Sequence, residues 1–162
     1  MKTAIDILKT ATEKVSAHLK RDVTFIHGNT NTVRNYITKL QSAGIVVYPA
    51  VIVFTEKMTE KRDRYYYEFT IPKISICTLT EINATEKQRL ESNFQHIIYP
   101  IVERLQKELQ KIHVGYNLVL NRTDIPYFTQ EENKNTFHQF VDGCIIKNLT
   151  MKVMYESCLK KE

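Results

Sequence analysis

Between Thr85 and Ile112 the sequence reads "TEKQRLESNFQHIIYPIVERLQKELQKI". Leu90, Phe94, Ile97, Ile98, Ile101, Leu105, Leu109 and Ile112 recur at the three- and four-residue spacing of one helical face. A helix of this length runs roughly 40 Å, so the rest of the chain must supply an apolar wall to match it. Asn83 or Thr85 opens it, and Thr85 with Gln88 has the spacing of a capping box. Pro100 lies inside the pattern, lacks a backbone donor and crowds the carbonyl of His96, which predicts a kink rather than an end. Phe94, Ile98, Ile101 and Leu105 are the residues expected to meet the wall.

Three apolar segments can build that wall. "IVVYPAVIVFTE" (Ile45–Glu56) is apolar on both parities, as in a strand covered on both faces. Pro49 within it marks a sheet edge, a bulge or the true strand start. "YYYEFTIPKISICTLTE" (Tyr65–Glu81) reads as one or two strands with a break at Pro72. "DGCIIKNLTMKVMYESC", from Asp142 to Cys158, is the terminal strand. Its apolar residues change parity between Ile146 and Leu149, so a bulge near Lys147–Asn148 is expected to keep both sets on the core side.

Ahead of these segments, residues 3–20 form an amphipathic helix with Ala4, Leu8, Ala11, Val15 and Leu19 on one face. "VTFIH" (Val23–His27) is a short strand. Thr30 or Asn31 caps a second helix carrying Val33, Tyr36, Ile37 and Leu40, and Gly44 stops it. A further strand is expected at Tyr116–Leu120, followed by an irregular polar loop over residues 121–140. Residues 1–162 thus make a single α+β domain: a mainly antiparallel sheet packed against one long helix, with two N-terminal helices and a C-terminal strand.

Charge and composition exclude more than they assign. The chain has 43% hydrophobic and 25% charged residues, ordinary values for a folded domain. "GIVVYPAVIVF", its most apolar run, is too short to span a bilayer. In "MKTAIDILKT" Asp6 interrupts the apolar run, so the segment reads as a helix and not as a leader. A net charge of +5 is moderate and dispersed. Cys77, Cys144 and Cys158 make no CxxC and leave one cysteine over, which points to reduced, structural thiols.

No phosphate-binding loop, dinucleotide fingerprint, nucleophile elbow or zinc-spaced histidine pair occurs. The five histidines, His18, His27, His96, His113 and His138, are scattered. Cys144 with His138 could form a nucleophilic pair in space, but an apolar strand raises a thiol pKa, the wrong direction for attack. The expectation is no catalytic residue, no cofactor and no metal. Tyr65, Tyr66 and Tyr67 beside Lys61, Arg62 and Arg64 could stack bases and hold phosphates. The simpler reading puts alternate tyrosines on the two faces of a strand. "NLT" (Asn148–Thr150) is a glycosylation sequon by spelling only.

The charged stretch "EKMTEKRDR" (Glu56–Arg64) joins two strands without the Gly or Asn of a two-residue hairpin turn, so a mobile hairpin arm over about 56–64 is expected. Four basic residues against three acidic ones suit salt-bridged docking on a neighbouring subunit. Lys57, Glu60, Lys61, Arg62, Asp63 and Arg64 are the candidate interface residues.

"FIHGNTNTVRNYI", then "VVYPAVIVF", then strands ending "ISICTLTE", a helix "TEKQR…FQHIIYPIVERL" and the terminal "DGCIIKNLTMKVMYESC" follow one another in an order that resembles a known family. It is that of the tail-terminator and head–tail connector (neck) ring proteins of tailed bacteriophages, in the divergent form carried by crAss-like phages and prophages of gut anaerobes. The resemblance implies a non-enzymatic virion protein, made in the host cytoplasm. It implies a homo-oligomeric ring that contacts portal, other neck-ring or tail proteins, with DNA passing through its lumen without sequence-specific binding. No membrane is involved on this reading. The competing reading is a small α+β nucleic-acid-binding module.

Overall fold

A computed structural model describes residues 2–126 and 141–155. In chain order the elements are α1 (Ala4–Leu19), β1 (Thr24–Gly28), α2 (Thr30–Ser42), β2 (Ala50–Phe54), β3 (Thr59–Arg62) and β4 (Tyr66–Leu79). A long helix, α3, follows in three segments (Glu86–Arg89, Leu90–Ile98 and Tyr99–Gln110), and then β5 (Arg122–Ile125) and β6 (Val141–Met154). The strands form one six-stranded sheet in the order β1-β2-β4-β6-β5, with β3 paired to β4 beyond the end of β2. Only β1–β2 is parallel. The α+β architecture is the one read from the sequence.

The sheet has a different cover on each face. Helices α1 and α3 share one face with Val51, Val53, Phe69, Ile71, Ile74, Ile76, Cys144, Ile146, Leu149 and Met151. Helix α2 covers the other face, burying Val33 and Ile37 against Ile26, Ile52, Cys77 and Ile145. This explains why β2 is buried at every position, as a strand sandwiched between two layers must be.

Strands β4 and β6 pair over their whole length, from Tyr66↔Met154 to Leu79↔Val141. Along the α3-facing side the inward residues of β4 run Phe69, Ile71, then Ile74, Ile76; those of β6 run Met151, Leu149, then Ile146, Cys144. Parity changes in both strands at the same place, between the pairs Ile71↔Leu149 and Lys73↔Lys147. The predicted one-sided bulge is therefore absent, because no residue is extra and the register does not slip. Instead Pro72, which has no amide proton to give the ladder, lies opposite Asn148 at φ +52°. Asn is among the few residues other than Gly that tolerate this left-handed conformation. The break at Pro72 and the irregularity at Lys147–Asn148 are one paired feature.

Pro100 is accommodated in α3 by a π-helical stretch, Leu90–Ile98, in which the Tyr99 N–H bonds the carbonyl of Phe94 five residues back. The wider turn rephases the buried stripe to Arg89, Phe94 and Ile98, before Ile101, Leu105 and Leu109 continue it. Leu90 and Ile112, expected on that stripe, are 43% and 38% exposed. The Thr85–Gln88 capping box is present in both directions.

Three boundaries differ from expectation. Helix α2 is capped by Asn29, whose Oδ1 accepts from Thr32 N–H at 2.8 Å, and not by Thr30 or Asn31. Its C-terminus closes with Gly44 at φ +71° and Ile45 N–H bonded to the Leu40 carbonyl. That cap takes Ile45 and Val46 out of the strand and leaves Val46 78% exposed, so β2 starts only after Pro49. Tyr116–Leu120 is not a strand. Gln106 and Gln110 of α3 hold the backbone of Leu118 with their side chains, and the pairing strand comes later, at Arg122–Ile125 inside the segment read as loop. The remainder of that loop, residues 127–140, lies outside the described residues.

Candidate interaction site

The charged stretch is not a single arm. Met58 N–H bonds the Thr55 carbonyl across a turn that holds Lys57 at φ +60°, and Thr59–Arg62 then pairs residue by residue with Tyr67–Thr70. Asp63 N–H bonds the Tyr66 carbonyl, which leaves Arg64 and Tyr65 as a two-residue turn. The sequence reading missed this tight hairpin because the turn has neither Gly nor Asn. The Asp63 carboxylate substitutes for them locally by accepting from Arg64 N–H at 2.6 Å.

Both ends of the hairpin are tied down. At its root the Glu56 carboxylate accepts the Thr30 N–H and hydroxyl at 2.5 and 2.7 Å, at the N-terminus of α2. Across β3 and β4 the Tyr67 hydroxyl donates to Glu60 at 2.6 Å and accepts from the Ala4 N–H of α1 at 3.2 Å. Burial, then the Glu60 hydrogen bond, push the Tyr67 hydroxyl up to about 12. Arg62 lies 5.8 Å from the Tyr67 ring centre and Arg64 lies 5.3 Å from that of Tyr65. The three tyrosines thus take separate places: Tyr67 in the α1-facing core, Tyr66 on the opposite face and Tyr65 in the turn.

All six candidate interface residues are exposed, Lys57 in the first turn, Glu60, Lys61 and Arg62 on β3, Asp63 and Arg64 in the second turn. The Asp63–Tyr66 bond fixes the alternation of the antiparallel ladder. Thr59 and Lys61 bond to β4, while the N–H and C=O of Glu60 and Arg62 point outward. On the same side of β4, where β2 and then β1 continue the sheet, Thr24 N–H bonds the Pro49 carbonyl, so in β1 the backbone groups of Phe25 and His27 face away from β2. Among the described residues no strand pairs with either outward edge, nor with the outer side of β5 at the opposite end of the sheet.

A cavity of about 660 Å³ lies beneath the hairpin between α1 and the end of α3, with Ile7, Ala11, Tyr67, Glu108 and His113 in its walls. Glu108 is buried in an ion pair with Arg104 at 2.5 Å and Lys111 at 2.8 Å. Tyr155, the last described residue before the C-terminus, forms part of the wall, so the cavity supports no ligand assignment. Cys77 and Cys144 are free thiols at under 2% exposure on opposite faces of the sheet. Burial pushes the Cys144 thiol up to about 12 and raises Cys77 as well, so neither is poised as a nucleophile. His138 and Cys158 lie outside the described residues. Among the described residues no three His, Cys, Asp or Glu side chains converge as metal ligands, and no helix is long and apolar enough to cross a membrane.

Among the described residues three carboxylates sit below their ordinary values. Asp6 is held down by the Thr3 backbone and hydroxyl, and Glu108 by the Lys111 hydrogen bond. For Glu56, burial pushes upward but the Thr30 hydrogen bonds outweigh it. A lowered carboxyl stabilises the fold above its unfolded pKa, and that contribution is lost as pH falls through the folded value. The melting temperature should therefore hold from neutral pH down to about 5 and drop on acidification below about 4.5. A melting temperature unchanged at about pH 3 would refute these three contacts.

Comparison with known proteins gives no match: no family model, no curated protein and no solved structure aligns with this chain.

Proposed function

We propose that this chain is a structural subunit that assembles head-to-tail into a ring, as the neck and tail-terminator rings of tailed phages do. On this reading it is a virion protein without catalytic activity, and its neighbours are further copies of itself, portal and tail proteins. The observation that carries the proposal is the pair of unlike open edges. On one side of β4, β3 offers the backbone of Glu60 and Arg62 from a short, charged strand, and on the other side β5 (Arg122–Ile125) ends the sheet beyond β6. Unlike surfaces cannot pair by a two-fold axis. They join heterologously, and a heterologous contact that closes makes a ring. The mixed charge on β3 repels an indiscriminate strand and admits one of complementary charge order.

The test is Arg62→Pro. It removes an outward N–H without touching the β3–β4 ladder, so the subunit should keep its melting temperature within a few degrees. Light scattering and negative-stain images should show closed rings for the native chain at high concentration and monomers for the variant. A native chain that stays monomeric at every concentration, or assembly that survives Arg62→Pro unchanged, would overturn the ring reading.

A further inference from the structure

The apolar core under α2 ends at Phe54, Cys77 and Ile145. Beyond that boundary the same face of the sheet turns polar. The register sets it out in rows: Lys73 opposite Lys147, Thr70 opposite Thr150, and Lys61, Glu68 and Lys152 side by side across β3, β4 and β6. Lys61, Lys147 and Thr150 are exposed, and Tyr66, Glu68, Thr70, Lys73 and Lys152 are half-buried. Four lysines therefore meet a single glutamate on this part of the face, with Glu56 at its rim. None of this was legible from charge counts, because the lysines are as much as 91 residues apart in sequence and only the strand register brings them together.

We infer that this face binds the phosphate backbone of duplex DNA without reading its sequence. The rows of lysines lie roughly 17 Å apart along the strands, and Lys61 and Lys152 are roughly 10 Å apart across them, a span that covers several phosphates. Point charges repeated in rows along the strands suit a repeating polyanion better than an acidic peptide. Single strands are held largely by bases stacking on open aromatic rings. Here the Lys152 Nζ sits 4.2 Å from the Tyr66 ring centre and the Lys73 Nζ 4.9 Å from that of Phe54, so both rings are already capped. Thr70 and Thr150, joined by a 2.8 Å hydroxyl bond, lie between the lysine rows and offer phosphate-bonding groups.

This binding face gives the ring reading a surface for the DNA, yet it is tested on single subunits and does not depend on assembly. Fluorescence anisotropy of a labelled random-sequence duplex should report weak binding that falls with salt, its logarithmic slope reflecting about three or four neutralised phosphates. Lys61→Gln, Lys147→Gln and Lys152→Gln together should weaken binding at least about tenfold at low salt and flatten that slope. Lys9→Gln with Lys107→Gln, exposed positions on α1 and α3, should change it less than about twofold. Equal losses from the two sets, or no binding by the native chain at low salt, would overturn the proposal. Should the triple variant fail to fold, lysine acetylation of the native chain decides the matter. Duplex DNA should protect Lys61, Lys147 and Lys152 but not Lys9 or Lys107, and uniform labelling would count against it. DNA binding by a chain that never forms rings would remove the ring reading and leave this one standing.

Discussion

Phe94→Ala is expected to lower the free energy of unfolding by about 3–5 kcal/mol, a large part of what holds a domain of this size together. Phe94 is 4% exposed and sits in the middle of the π-helical stretch, its ring 5.8 Å from that of Tyr99. It belongs to the same core as Ile74 and Ile76 of β4 and Cys144 and Ile146 of β6. Truncation to alanine loses the transfer energy of the ring and leaves a cavity where helix and sheet meet. The wall cannot collapse into that gap easily, since β4 and β6 are paired on both sides. Denaturant melts measure the loss directly. A change under about 1 kcal/mol would mean that this face of α3 is exposed in solution.

The helix–sheet core was readable because its signals are local. Helical spacing from Phe94 to Leu109 and the apolar runs of β2, β4 and β6 each declare themselves within a single window of sequence. What was not readable depends on pairing. The parity changes at Pro72 and at Lys147–Asn148 were both visible, yet their identity as one paired kink needed the β4–β6 register. The hairpin was misjudged for a related reason: Asp63 and the Glu60–Tyr67–Ala4 hydrogen bonds do for the turn what Gly or Asn would do, and Ala4 lies 63 residues from Tyr67. The six candidate interface residues are charged and exposed, but the sequence carried no sign that three of them, Glu60, Lys61 and Arg62, lie with Thr59 on a strand. The lysine face had no sequence signal at all, because its members are ordinary surface lysines until the strands align them.

The π-helical stretch makes the second large prediction, because it decides which side chains face the sheet. With ordinary α-helical spacing, Leu90 would continue the stripe of Phe94, Ile98 and Ile101. The wider turns rotate Leu90 outward and bring Arg89 in, and they set the half-buried Asn93 over β6, where its Nδ2 donates to the Asp142 carboxylate at 2.7 Å. Asp142 is fully buried opposite Thr78 at the end of the β4–β6 ladder, so each donor it holds offsets desolvation of a carboxylate. Asn93→Leu keeps the branched shape and removes that donor, at an expected cost of about 2–3 kcal/mol. Leu90→Ala, by contrast, should cost less than about 1 kcal/mol, since the side chain is 43% exposed. Both are read from urea melts of the single variants. The double variant Asn93→Leu/Asp142→Leu should recover part of the loss, because the carboxylate that needed the donor is gone. A larger loss from Leu90→Ala than from Asn93→Leu would place Leu90 inside and Asn93 outside. The helix would then keep α-helical phase through Pro100, and the stripe facing the sheet would be the one drawn from the sequence.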